Sequence, residues 1–352
     1  MSLMTTVLMP FKAEASGHEG ESTEINPKEI IFEHLGDAYG WEVPFNHHVR
    51  MPLPIIVYGT DGLHVFSSAR LAHGETYTDG SATFVIGGED SEYKGKVVEI
   101  VEGKEVRPLD FSITKNVAAL FISVILVAAL ILWLARFHRR NGYRAPRRGL
   151  GAIEFLVTFV YDGVIKPTLG HKARRFAPYL LTCFFLIFGM NLLGLIVVFP
   201  GGANLTGNLA VTMTLAILTF LVTNIWGTKH YWKEIFWPEV PLFLKFPLPI
   251  MPVIELFGMF TKPAALTVRL FANMMGGHMI VIVLTLLIFI FSAQNIYAGV
   301  GTTVVSMIFC IFMLLIDVLV SFIQAYVFTM LSTIFISLAQ AEHHEENAHA
   351  AE

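Results

Sequence analysis

The sequence predicts an all-α, polytopic membrane protein with about five membrane helices and a small β-rich module outside the membrane. Of its 352 residues, 54% are hydrophobic and 29 are Phe. Its mean hydropathy of +0.61 lies beyond the usual range of soluble globular chains. Beyond residue 110, the apolar residues gather into runs that are long enough to cross a bilayer.

Residues 1–110 are acidic, with 18 of the 28 Asp and Glu but only 8 of the 24 Lys and Arg. Ala-Glu-Ala at residues 13–15 is similar to a signal-peptidase site, but the apolar run before it is short and has no basic start, so we expect a weak export signal at most. From about residue 45, β-branched runs broken by Asp-Gly and Gly-Lys predict hairpin strands. We therefore interpret 1–110 as an exterior region that is β-rich from about 45.

The first span is predicted within 111–136, because 117–135 contains nineteen residues without a charge. Arginines follow it at once, which marks the cytoplasmic side and places 1–110 in the periplasm. The segment 137–175 is basic, and its apolar residues recur at helical intervals around Glu154 and Asp162. This pattern predicts a cytoplasmic segment with an amphipathic helix lying in the membrane interface.

Residues 176–340 are predicted to form a membrane domain that begins with two spans, 176–199 and 209–227, joined by a turn rich in Pro, Gly and Asn. The segment 229–262 mixes charges with prolines and is not an ordinary span. Cys183 and Cys310 lie in apolar stretches, where we expect small hydrophobic residues and no disulfide or metal site.

Two final apolar blocks, 263–294 and 300–340, would measure roughly 45 and 60 Å as helices, against a hydrocarbon core of about 30 Å. They must therefore tilt strongly or break, and Gly276-Gly277 is an obvious place for a break. Counting each as one crossing gives five, so the tail 341–352 is predicted to be cytoplasmic. The tail histidines His343, His344 and His349 are expected to be solvated, with metal binding as the alternative.

Two charged side chains stand alone in these blocks: Arg269 is the only one from Pro263 to Ile316, and Asp317 the only one from there to Ala341. Ionisable residues at membrane depth are costly and mark ion paths. Arg does not give up its proton, so Arg269 acts as a fixed charge, whose expected role is to act on a carboxylate. The alternative interpretation is that Arg269 lies near the end of a span and that its side chain simply extends to the membrane interface.

Helical geometry divides the polar residues between faces. Asn273 lies about 40° from Arg269 around the helix, and His278 about 180° away. On the last helix, Asp317, Ser321 and Gln324 share a face. A His and an Asp on neighbouring helices are suited to a proton relay, although contacts between helices are an alternative role for both.

The stretches "KPAALTVRLFANMMGGH" and "DVLVSFIQAYVFTMLSTIFISLAQAEHHEE" resemble subunit a of F-type ATP synthases, as do "EFLVTFVYD" and "TGNLAVTMTLAI". The resemblance covers roughly 110–345. It implies a non-catalytic proton-channel subunit of a bacterial inner membrane, with two long tilted helices facing a c-ring. The implied partners are the c-ring, the peripheral stalk b subunits and the lipid bilayer. For this chain the resemblance implies no cofactor, no metal, no nucleic acid and no small-molecule substrate other than H⁺.

The resemblance also implies roles for individual residues. Arg269 corresponds to the essential arginine that faces the c-ring, with Asn273 one turn on and Gln324 beside it. His278 and Asp317 occupy the positions of a His and a carboxylate, which with Asn273 would line an exterior half-channel of the proton pathway. Glu255 matches an acidic position near the other half-channel.

The chain departs from the family pattern in its long exterior region and in its polar turn, where Asn204 and Asn208 replace an expected Asp. An Asn can line a water-filled path but cannot relay a proton by ionising. Two other classes remain: a proton-coupled secondary transporter, which usually shows internal repeats that we do not find here, and a membrane scaffold without transport. Coupling to sodium in place of protons is a further alternative within the family.

Overall fold

The structure is a computed structural model that describes residues 36–43, 46–88, 91–101, 103–142, 144, 146, 149–196, 203–236, 250–294 and 296–340. The signal-like stretch at the start of the chain and the tail histidines lie outside these residues. The described residues form an N-terminal β module followed by helices. The prediction of a mostly helical chain with a β-rich N-terminal region is therefore confirmed.

The β module contains the short strands β1 Gly40–Val43, β2 Asn46–Pro52, β3 Pro54–Gly59, β4 Gly62–Ser67, β5 Tyr77–Asp79, β6 Ala82–Ile86, β7 Val97–Val101, β8 Lys104–Val106 and β9 Leu109–Asp110. They pair antiparallel in three sheets, ordered β1-β2, β4-β3-β9 and β5-β6-β7-β8. The core between the sheets contains packed apolar side chains, among them Ile55, Val57, Phe66, Leu71 and Phe84. The first strand begins slightly before the predicted position.

The predicted Asp-Gly turn joins β3 to β4, whose last pair is Gly59 with Gly62. The buried Glu99 on β7 fixes this turn, because it accepts hydrogen bonds from the Thr60 amide (3.0 Å) and hydroxyl. Gly59 is needed here, since an added Cβ would lie 2.8 Å from a Glu99 carboxylate oxygen. This contact connects two of the sheets.

The β module is attached directly to the first helix, α1 (Lys115–Asn141). The Thr114 side chain caps that helix, and the Asp37 carboxylate accepts a hydrogen bond from the Asn116 amide (3.2 Å). Trp41 is buried in the apolar core of the helices. Burial, together with the hydrogen-bonded Asp110 carboxylate, raises the pKa of Tyr39.

The helical part follows in chain order. Its helices are α1 Lys115–Asn141, α2 Gly149–Val160, α3 Lys166–Leu169, α4 Ala173–Leu195, α5 Leu209–Ile225, α6 Lys229–Phe236, α7 Ile250–Gln294 and α8 Ile296–Ala339. The first helix continues past the predicted boundary at 136 into the arginine cluster. Among the described residues, four helical segments are long and apolar enough to cross a membrane, or five if α5 and α6, bent by 104°, form one span. The prediction of about five membrane helices is confirmed at that level.

From Gly149 onwards, the basic segment after α1 is helical in the described residues. A short π-helical turn, Tyr161–Ile165, follows α2 and leads into α3 and α4. Phe155 and Phe159 are exposed, whereas Val160 and Ile165 are fully buried against the helical core. The placement of this helix in the membrane interface stays a prediction.

The two long helices α7 and α8 pack against each other and cover α4 and α5. Of the two alternatives, a strong tilt or a break, the break at Gly276-Gly277 is excluded, because α7 runs through both glycines as an unbroken helix. Helix α7 also begins at Ile250 and not near Pro263, which lies inside it; prolines are tolerated inside membrane helices. At about 1.5 Å per residue, each helix is more than twice as long as the hydrocarbon core is thick.

Candidate functional site

Five of the seven predicted site residues line one narrow, partly open cavity between α4, α7 and α8, which we call the central cavity. These five are Asn273, His278, Asp317, Ser321 and Gln324. Arg269 and Glu255 lie elsewhere on α7. His278 and Asp317 thus line the same cavity, which the sequence alone could not predict.

Gly277 makes room for the carboxylate of Asp317. A Cβ on Gly277 would lie 2.7 Å from an Asp317 carboxylate oxygen, so that carboxylate lies directly over the α7 backbone next to His278. On α4, a Cβ on Gly194 would lie 2.8 Å from the Cε atom of Met274 and at ordinary contact distance, 3.7 Å, from the Nε2 atom of His278. Of the two glycines that suggested a break in α7, Gly277 therefore serves the close packing of α8 against α7.

The ring of His278 presents a reactive nitrogen to the cavity. Its Nε2 atom is buried and has no hydrogen-bond partner among the residues that the structure describes. A neutral imidazole nitrogen can accept a proton, and the imidazolium can donate it again. Together with Asp317, which also lines the cavity, this gives two groups that can exchange a proton with water.

A hydrogen bond of 2.6 Å from the Asn273 Nδ2 atom to the Gln324 Oε1 atom joins the two long helices at one end of the cavity. Gln324 is buried, whereas Asn273 is exposed. The Ser321 hydroxyl is also buried and donates to the backbone oxygen of Asp317 (2.7 Å). It therefore supports its own helix and does not bind the Asp317 carboxylate.

Arg269 lies on the outer face of α7, not in the central cavity. Its side chain is exposed, and within the described part of the chain it forms no ion pair. Ala265 and Ala272, at helical spacing on either side of it, are also exposed. Small residues allow a neighbouring helix to approach closely. The guanidinium thus lies on a surface that suits a helix from another chain.

Sequence reasoning missed Asn191, a buried amide on α4 that lines the central cavity. Its Oδ1 atom accepts a hydrogen bond from the Thr206 hydroxyl (2.7 Å), in the polar turn before α5. In that turn the Asn204 amide nitrogen is buried without a partner among the described residues. Asn208 caps α5. The signal for Asn191 was available, because it is the only Asn in the apolar run 176–199.

A second narrow, partly open cavity, which we call the side cavity, lies between α5, α6, α7 and α8. Its polar lining consists of Thr219, Thr223, Asn224, Tyr231 and Lys262. Sequence reasoning did not identify it, because it needs four elements to meet. On α7 it is lined by residues between Met259 and Leu266, on the Glu255 side of Arg269.

Comparison with known proteins identifies the family. The model of the family "ATP synthase A chain" matches residues 118–337. The chain belongs to the F-type ATP synthase subunit a family. Residues 30–111, which include most of the β module, match a separate domain of unknown function, DUF8433.

Relatives named ATP synthase subunit a share about two fifths of the aligned residues with this subunit a family member. ATP synthase subunit a 2 of Chlorobaculum tepidum is 40% identical over 250 residues, which cover 70% of this chain and 69% of that protein. ATP synthase subunit a of Chloroherpeton thalassium is 39% identical over 277 residues, or 75% and 78% of the two chains. The Myxococcus xanthus protein of that name is 40% identical over 252 residues, or 68% and 78%.

This membership confirms the resemblance found in the sequence. The chain is a multi-pass membrane protein with a role in proton translocation by an F-type ATP synthase, of which it is a membrane-embedded and non-catalytic component. The secondary transporter and the scaffold are therefore excluded.

Proposed function

We propose that the chain forms two offset half-channels for protons and presents Arg269 to a carboxylate of the c-ring, so that proton flow turns the ring. The observation that carries this proposal is that Arg269 lies on a different face from the titratable residues His278 of α7 and Asp317 of α8. The fixed charge of Arg269 is exposed on the outer face, whereas His278 and Asp317 face the cavity behind it. A charge exposed to lipid at this depth would be costly, so the outer face needs a protein partner.

Arg269 acts through its effect on the carboxylate that rotates past it. An opposite charge within a few ångströms lowers the pKa of an acid, so a c-ring carboxylate that reaches Arg269 releases its proton. Arg269 cannot deprotonate and so cannot pass a proton between the half-channels. The same residue therefore discharges the ring and prevents a leak.

The central cavity serves as the exterior half-channel. Asn191 and the polar turn at Asn204 lie at its α4 side, His278 and Asp317 on its walls, and Asn273 with Gln324 at its α7–α8 contact. Protons would enter by way of water and neutral amides, exchange with His278 and Asp317, and reach the ring beside Asn273. Ser321 contributes by holding the α8 backbone next to Asp317.

The side cavity and Glu255 belong to the cytoplasmic half-channel. Glu255 precedes Arg269 by fourteen residues, or about 21 Å along α7, and His278 follows it by nine, or about 13 Å. The two routes would thus reach Arg269 from opposite directions, as offset half-channels require. The hydroxyl and amide groups of the side cavity can hydrogen-bond water along such a route.

The orientation follows from the charges around α1. Arg136, Arg139 and Arg140 at its end would lie in the cytoplasm, with residues 1–110 in the periplasm and the tail 341–352 in the cytoplasm. In a bacterial inner membrane, the tilted helices α7 and α8 would face the c-ring. The peripheral stalk b subunits would hold the chain against it.

ATP-driven proton pumping by inverted membrane vesicles tests the role of Arg269. We expect Arg269→Ala to abolish pumping while the complex still co-purifies with its c-ring, because the barrier and the discharging charge are both removed. Val268→Ala is the matched control, since Val268 is exposed on the neighbouring position of α7. Normal pumping by Arg269→Ala in an intact complex would refute the proposal.

A further inference from the structure

The outer face of the three-stranded sheet in the β module is apolar, which is unusual for a sheet whose other face is packed. Strand pairing aligns Leu63, Tyr58 and Leu109 in one row across the sheet. A second row contains Val65 and its partner Ile56, whose carbonyl accepts a hydrogen bond from the Phe111 amide (2.8 Å). We call these six residues the outer sheet face: Ile56, Tyr58, Leu63, Val65, Leu109 and Phe111.

Five of the six side chains are between 54% and 66% exposed, the exception being Ile56. The opposite face carries Ile55 and Val57, which are fully buried. An antiparallel sheet packed on one side normally presents polar residues on the other. A contiguous exposed apolar patch instead indicates a surface that contacts protein or membrane.

The chain connection favours the membrane. Hydrogen bonding to β3 continues past β9, from the Phe111 amide to Ile56 and from the Ile113 amide to Pro54 (3.1 Å). Helix α1 begins only two residues later, at Lys115. The sheet is therefore fixed at the end of a membrane helix and cannot move far from the bilayer surface.

The apolar surface also continues along the chain into that helix. Leu109 and Phe111 are exposed at the sheet edge, and Val117 and Phe121 are exposed on the first turns of α1. A helix that crosses the bilayer presents such residues to lipid. The outer sheet face is thus continuous in sequence with a surface that lipid already covers.

We propose that the outer sheet face lies in the interfacial region of the lipid bilayer and anchors the β module to the membrane beside α1. Apolar side chains would enter the boundary between headgroups and acyl chains, and the Tyr58 hydroxyl would stay among the headgroups. The proposal rests on α1 being a membrane span. It does not depend on the half-channels or on Arg269.

Lipid quenching of a fluorescent label tests this surface. The full chain, with Cys183→Ala and Cys310→Ala, would carry Leu63→Cys labelled with an environment-sensitive nitrobenzoxadiazole. It would be inserted into vesicles of phosphatidylethanolamine and phosphatidylglycerol that contain lipids spin-labelled near the top of the acyl chain. We expect a blue-shifted emission that these lipids quench several-fold more strongly than aqueous iodide does.

Lys104→Cys in the same background is the matched control, because Lys104 is exposed on β8 of the four-stranded sheet. Its label should respond to iodide and not to the spin-labelled lipids. Adding Leu109→Ser and Phe111→Ser to the Leu63→Cys chain should reduce lipid quenching to the control level. A Leu63 label that iodide quenches freely would overturn the proposal. So would a label that neither quencher reaches, since a protein partner would then cover the face.

Discussion

The two cavities on either side of Arg269 differ in the kind of polar group that lines them. The central cavity contains His278 and Asp317, whose charge can change with bound protons. The side cavity is lined by hydroxyls, an amide and Lys262, and neither His nor a carboxylate is among its lining residues in the described part of the chain. The first cavity is equipped for a relay, and the second for holding water.

This difference follows from how each cavity is closed. Around the central cavity, α7 and α8 pack so closely that a glycine, Gly277, is needed to fit the Asp317 side chain. The side cavity lies where the short helix α6 turns away from α5 by 104°. A tightly packed route needs side chains that carry the proton, whereas a looser route can use water.

Between the two cavities, the largest expected effect comes from removing both titratable groups of the central cavity. We expect Asp317→Asn combined with His278→Ala to lower ATP-driven proton pumping by about 100-fold, the typical lower range for losing positioned acid–base groups. Pumping by inverted vesicles with a pH-sensitive dye measures it, alongside the ATPase activity of the complex. Pumping close to that of the parent would show that water alone carries protons there.

Filling the space above Gly277 also tests whether the central cavity carries protons through its titratable groups, but without removing one of them. A Cβ at this position would lie 2.7 Å from an Asp317 oxygen, so Gly277→Ala must displace the carboxylate. We expect pumping to fall by about tenfold, a loss of about 1.4 kcal/mol in effective barrier. Gly258→Ala is the control on the same helix, since an added Cβ there meets nothing within 4 Å. Equal pumping by the two variants would contradict the predicted role of the Asp317 position.

These glycines also show where sequence reasoning succeeds and where it stops. Hydropathy and charge predicted the spans and the isolation of Arg269 and Asp317, and β-branched runs with turn residues predicted the β hairpins. Each of these predictions depends on residues close together in sequence. The same pattern made Gly276-Gly277 look like a break. Only the packing of α8 against α7 shows that Gly277 is small in order to accommodate Asp317.

Two further features depended on tertiary contacts. Asn191 carries no formal charge, so a search for charges at membrane depth passed over it, although its burial beside the cavity gives it a role. The start of α7 at Ile250 was missed because prolines and charges there indicated an irregular segment. Packing against α5 and α6 offsets that local preference.

The hydrogen bond between Asn273 and Gln324 gives a smaller expected effect. Asn273→Leu removes the donor and leaves the buried Gln324 oxygen without this partner, which costs about 1–3 kcal/mol. We expect a lower melting temperature of the purified chain and a several-fold loss of pumping. A double-mutant cycle with Gln324→Leu should then show a coupling of about 1 kcal/mol. Additive losses would mean that the bond contributes little.

The smallest effect should come from the side cavity. Thr219→Val and Thr223→Val each replace a lining hydroxyl with a methyl group of similar size. Both hydroxyls donate to backbone oxygens of their own helix (3.2 and 2.8 Å), and the Thr219 hydroxyl also hydrogen-bonds the Tyr179 hydroxyl (2.9 Å). Water can replace such a group along a hydrated route at little cost. We expect the pair to lower pumping by less than about threefold, against about 100-fold for the relay pair. A loss as large as that of the relay pair would mean that the side cavity is also a specific proton path, and the contrast between the two cavities would fail.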